Sequence, residues 1–241
     1  MIVQLSADVF AASSVDKLDL AALMWLCRGD PHALLLDPPF DPEAPPRGLD
    51  AFGELQQEIE PILEYGPEAA AMRPTSCARI RVQATGPSSF QGPVPSLTVF
   101  DATSLLSRPL DILVENRRND GAFLRKMIPP DRRRDFERYV RDGFLRIESE
   151  GGLGEMETRV KSLAGSPEEA ARIGMVFDRD CRGQDVTDPL KPSDAAQRLA
   201  NRCAAVREPW PLAHHMLERR AIENYLPLAT LFGWAATDRE R

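Results

Sequence analysis

A chain of 241 residues is long enough for one large domain or two small ones, each with a real core. Its 43% hydrophobic and 28% charged content is that of an ordinary globular protein; with no apolar run near the roughly 20 residues that span a bilayer, and no basic-then-apolar leader, a cytoplasmic protein without a membrane partner is expected. The net charge of −7 argues against a dedicated nucleic-acid-binding domain, and four scattered cysteines without a CxxC pair argue against a zinc ribbon or a disulfide framework.

In chain order, "SSVDKLDLAALMWLCRGD" predicts a helix capped by Ser14, with Leu18, Ala21, Ala22 and Trp25 on one face. "DPPFDPEAPPRG" is a proline-rich connector that cannot continue it. "LDAFGELQQEIEPILEY" predicts a second helix through Phe52, Leu55, Ile59 and Leu63, kinked or ended by Pro61. "ARIRVQA" alternates as a half-buried strand does, and "SLTVF" is a further candidate strand. Residues 1–105 therefore read as an α+β region without a catalytic constellation, its helices around Trp25 and Phe52 offering either a docking surface or core.

From residue 106 onward strands and helices alternate. "LDILVE" is a strand, "NDGAFLRKMI" a helix stopped by Pro129 and Pro130, and "PPDRRRDFERYVRDGFLR" an arginine-rich helix that buries Phe136, Tyr139 and Val140. "FLRIESEGGLG" is a strand running into glycines, and "EMETRVKSL" a helix carrying Met156, Val160 and Leu163. "RIGMVF" is the next strand, and "SDAAQRLANRCA" a helix capped by Ser193. Such alternation predicts an α/β domain over 106–241, a parallel sheet flanked by helices, with any ligand at the carboxyl ends of the strands.

Three of those ends carry the chemistry. Glu115 follows the first strand, glycines 151–154 follow the second, and Asp178 and Asp180 follow the third. Mg²⁺ prefers hard oxygen ligands and keeps several waters, so two or three carboxylates suffice to hold it, or Mn²⁺ in its place. Asp178 and Asp180 are positioned to face one cation, Glu115 to complete the site or act as a base, and Gly152 and Gly154 to let the backbone approach a ligand. The adjacent His214 and His215 make a poor metal pair, while Asp185 and Asp188 read as loop acids. Phosphatases of the haloacid dehalogenase type also use a DxD, but place it on their first strand; here only about 60 residues follow Asp180.

Glu at the end of a first strand ("ILVENRRND"), a glycine turn ("SEGGLG") and a terminal DxD ("MVFDRD") resemble the TOPRIM domain, over about residues 109–230. "HHMLERRAIENYLP" is similar to a segment of the OLD (overcoming-lysogenization-defect) nucleases, which often serve in phage defence. The resemblance implies a Rossmann-like fold and an Mg²⁺-dependent nuclease acting on DNA or RNA. It implies Glu115, Asp178 and Asp180 as catalytic and metal-binding residues, Glu223 as a further metal ligand, and Arg219 and Arg220 in support. The chain also departs from the family, with Asn116 where a glycine is usual and Asp120 five residues after Glu115 rather than four, so that Asp120 is either a ligand or a helix cap. No G-x-x-x-x-G-K-[ST] motif is present, so any ATPase or sensor would be a separate partner in a homo- or hetero-oligomer. The alternative is a non-hydrolytic TOPRIM subunit of a larger, ATPase-containing assembly, which the acidic charge and altered first motif favour.

Overall fold

The computed structural model describes residues 1–29, 31–75, 77–180, 191–206 and 212–218. They belong to two compact units, Met1–Pro109 and Leu110–Arg241.

The first unit opens with β1 (Ile2–Ser6), a 3₁₀ turn over Ala7–Phe10, α1 (Lys17–Leu26) and β2 (Ala33–Asp37). A second 3₁₀ segment, Leu49–Leu55, leads into α2 (Gln56–Ala71), followed by β3 (Arg79–Val82), β4 (Ser96–Leu97) and α3 (Val99–Ser107). The strands form a parallel sheet in the order β2-β1-β3-β4. This corrects the expected α+β class: the first unit is itself α/β. "IVQLS" and "ALLLD" are the two strands not expected from the sequence, and their apolar residues are almost wholly buried, as in a sheet covered by helices.

Several local expectations also change. The cap of α1 is Asp16, whose carboxylate accepts from the Leu18 and Asp19 N–H groups, while the Ser14 hydroxyl donates to the Ala84 carbonyl. The helix buries Leu20, Ala21, Leu23 and Met24, and turns Leu18 outward with 76% of its surface exposed and Trp25 with 40%. Phe52 is buried with its ring edge-to-face against Phe10 at 6.1 Å, so it belongs to the core and not to a docking surface. Neither Pro61 nor Pro67 ends α2, whose Ile59, Ile62, Leu63 and Gly66 are buried. "SLTVF" gives only two strand residues before Thr98, which accepts from the Asp101 N–H, caps α3.

The second unit follows the expected alternation: β5 (Leu110–Val114), α4 (Asn119–Met127), α5 (Pro130–Arg141), β6 (Leu145–Ser149) and α6 (Leu153–Leu163). Next come the short α7 (Pro167–Ala170), β7 (Ile173–Phe177), α8 (Asp194–Ala205) and β8 (Ala213–Met216). All four strands are parallel, in the order β6-β5-β7-β8. Both faces are covered. Leu113, Met175 and Phe177 pack against Met156, Val160 and Leu163 of α6 and Leu199 and Cys203 of α8. Val114 and Ile147 pack on the other side against Phe136, with Ile112, Leu124 and Val140 beside them. Alternate residues of β5 thus enter opposite cores, which is why the strand reads as a continuous apolar run. Ser193 caps α8 as expected, accepting from the Ala196 N–H at 3.1 Å.

Burial pushes the thiols of Cys27 and Cys203 up to about 12, making them packing residues rather than nucleophiles. Among the described residues no helix is long and apolar enough to cross a membrane.

Candidate functional site at the carboxyl edge of the second sheet

β5 and β7 are hydrogen-bonded neighbours running in the same direction, so the residues that follow them emerge side by side. Glu115 and Asp178 occupy those two positions. The Asp178 backbone N–H donates to Glu115 Oε1 at 3.0 Å, tying the two strand ends together through the glutamate side chain. From the other side, the Ser149 hydroxyl at the end of β6 donates to the Glu115 carbonyl at 2.8 Å. Glu115 is therefore held from both neighbouring strands.

Its environment disfavours the charged form. Burial raises the Glu115 pKa above the ordinary glutamate value; the Asp178 N–H opposes that shift, and the negative charges of Asp120 and Asp180 add to it. In the linkage between charge and folding, a carboxyl with a raised folded pKa favours the native state most below its unfolded pKa. That contribution is lost as pH rises through the folded value. We therefore expect Glu115→Gln, whose amide oxygen still accepts from Asp178, to stabilise the metal-free protein at neutral pH and to lose that advantage on acidification toward pH ~4, near the unperturbed glutamate value. Thermal melts across this range in a chelator check it; a stability gain that does not depend on pH would show that charge is not the cause.

Asp180 stands differently from its expected place. β7 ends at Phe177, and Asp180 takes a left-handed backbone with φ of 51°, a conformation that aspartate tolerates better than most residues. The strand alternation that would put Asp178 and Asp180 on one side does not extend so far. Asp180 is exposed and Asp178 half-buried, although the Asp180 charge still reaches Glu115. Among the described residues no three His, Cys, Asp or Glu side chains are grouped to hold a metal ion by themselves. Two carboxylates on an acid-rich edge, with water and a phosphate completing the shell, are nevertheless a normal Mg²⁺ donor set. The mutual repulsion felt at Glu115 is what a cation would relieve.

Asp120 is part of a cap. Asn116 Oδ1 accepts from the N–H groups of Arg118 and Asn119 at 3.0 and 3.2 Å, and the Asp120 carboxylate accepts from the Asn116 N–H at 2.7 Å. This reciprocal arrangement closes the turn into α4 and gives Asn116 a job that the usual glycine could not do. The signal was present in "ENRRND", where an Asx residue stands just before a helix.

Of the glycines, Gly151 and Gly152 have φ of +84° and +123°, so the backbone itself demands them. Gly154 does not share that demand: it sits in the first turn of α6, and a side chain there would meet nothing within 4 Å. His214 and His215 lie within β8; the His214 ring stacks on Phe177 at 6.3 Å, and its Nδ1 is 2.9 Å from the Leu212 carbonyl oxygen. Arg219, Arg220 and Glu223, like Cys181, Asp185 and Asp188, lie outside the described residues. Comparison with protein-family models finds no match, and no curated protein or solved structure shows significant similarity to the chain.

Proposed function

We propose that the second unit is a TOPRIM-type, Mg²⁺-dependent nuclease that hydrolyses phosphodiester bonds, the effector of a bacterial anti-phage system. The observation that carries this reading is the Asp178 N–H to Glu115 clasp, which holds two acids at adjacent carboxyl ends of a parallel sheet. Glu115 and Asp178 would hold the ion, with Asp180 or Glu223 as further ligands. When bound, the metal supplies charge neutralisation for the phosphate and a more acidic attacking water. Glu115, whose pKa is raised by burial, would either hold the ion or accept the proton of the attacking water. The glycine turn keeps side chains away from the space beyond β6, and Ser149 fixes the backbone from which Glu115 projects.

The exposed, left-handed Asp180 favours a second reading, in which the unit binds metal or nucleotide without hydrolysis as part of a larger assembly with a separate ATPase or sensor protein. One experiment separates the two. Plasmid, single-stranded DNA and RNA are incubated with the full-length chain in Mg²⁺, in Mn²⁺ and in chelator. Metal-dependent cleavage of any of them supports the nuclease. Metal binding by calorimetry without cleavage, even with co-purifying proteins added back, supports the assembly subunit.

A further inference from the structure

Beside the acidic edge lies a cavity of about 360 Å³ with the opposite charge. Arg117 and Arg118 come from the turn that follows Glu115, Arg125 from α4, and Arg146 from β6, the outermost strand on that side of the sheet. Glu148 is the one carboxylate in the lining among the described residues, and the floor is aliphatic, with Gly121 closest to Ile147.

The four arginines are not equally committed. Arg146 makes a two-pronged pair with Asp111, at 2.8 and 3.0 Å, and Arg125 is 2.5 Å from Glu137. Arg117 meets Glu148 only loosely, at 3.6 Å, with 68% of its side chain exposed. Arg118 is exposed and lines the cavity beside Arg117. The loose, exposed Arg117–Glu148 pair holds its arginine weakly, so a phosphate displaces that carboxylate at little cost. Among the described residues no aromatic side chain lines the cavity, which therefore offers no stacking platform of the kind with which proteins grip bases.

We propose that this groove binds the phosphodiester backbone of a nucleic-acid strand, independently of base sequence, and leads it over Arg117 and Arg118 to Glu115. The proposal rests on the nuclease reading for the identity of its ligand. It also resolves a tension in the composition, because a chain of net charge −7 needs a local cationic track if it is to hold a polyanion.

The test is binding of fluorescent mixed-sequence DNA and RNA strands of about 20 nucleotides to the full-length chain in chelator, from about 50 to 200 mM salt. The Arg117→Gln/Arg118→Gln double variant is expected to bind at least about tenfold more weakly at the low-salt end. Its log–log salt slope should fall by about 0.7 for each arginine–phosphate pair removed. Glu148→Gln removes the acid that competes for Arg117 and is expected to bind about threefold more tightly, a gain that damaged folding would not produce. Arg132→Gln, on α5 and outside the groove lining, is the control and should change affinity less than about twofold. Wild-type affinity in both the double variant and Glu148→Gln overturns the groove, as does failure of the wild type to bind either strand. Cleavage with an unchanged KM in the double variant removes the groove and leaves the nuclease. Arginine-dependent binding without cleavage does the reverse.

Discussion

Asp178→Asn is expected to lower metal-dependent cleavage at least about a thousandfold, while the melting temperature in chelator stays the same or rises slightly. A thousandfold loss corresponds to about 4 kcal/mol of transition-state stabilisation, within what a metal-binding carboxylate supplies. Stability should survive because the group that clasps Glu115 is the backbone N–H of residue 178, which any side chain but proline retains. Asparagine also adds no charge to an edge where Asp120 and Asp180 already disfavour the ionised form of Glu115. Glu115→Ala provides the contrast. It should abolish cleavage too, but it leaves the half-buried Asp178 N–H without its acceptor, which costs about 1–3 kcal/mol. Activity and melting curves of the two variants together check the geometry. Wild-type cleavage by Asp178→Asn, or a large loss of stability in chelator, would show that Asp178 is not a metal ligand.

The largest effect on stability is expected in the first unit, at Gly66. This residue is buried where α2 crosses β2, and a Cβ there would stand 1.9 Å from the Leu34 carbonyl oxygen and 3.0 Å from its carbon. Both are main-chain atoms of a core strand and cannot swing aside, so Gly66→Ala must lift the helix from the sheet. Overpacking of this kind costs about 3 kcal/mol or more, which lowers the melting temperature of a unit this size by on the order of 15 °C. Gly154→Ala is the matching control, since nothing lies within 4 Å of its Cβ position and φ is not left-handed there. It should be neutral or slightly stabilising. If Gly154→Ala impairs cleavage without loss of stability, the glycine serves ligand approach and not the fold. Differential scanning calorimetry of both variants, with a cleavage assay of Gly154→Ala, decides these outcomes.

The second sheet was legible because strands buried on both faces read as unbroken apolar runs between amphipathic helices. Glu115 and Asp178 stood out as charges ending such runs. The same kind of strand in the first unit is harder to read. "ALLLD" is too short to distinguish strand from helix by period, and proline-rich segments hide the crossovers around it. The face of α1 is ambiguous for a related reason. Leu18, Leu20, Ala21, Ala22, Leu23, Met24, Trp25 and Leu26 make the helix apolar on nearly every side, and packing against α3 decides which side is buried. At the site, residue types were readable and backbone conformation was not. The left-handed Asp180 depends on where β7 stops, which the residue types around it do not fix.

The strand orders have a bearing on biosynthesis. In β2-β1-β3-β4, the second strand joins one side of the first, the third joins the other side, and the fourth is laid outside the third. The second sheet repeats this order with β6-β5-β7-β8. Among the described residues, each strand emerging from the ribosome therefore finds an open edge waiting, and none must be inserted between two that have already paired. The four described strands of the first sheet and the helices packed with it precede Leu110, so this unit can close while translation of the second proceeds. Parallel pairing is slow because each pairing waits for a long crossover. Vectorial addition lets that slow step run concurrently with synthesis, strand by strand, in the order in which the chain is made.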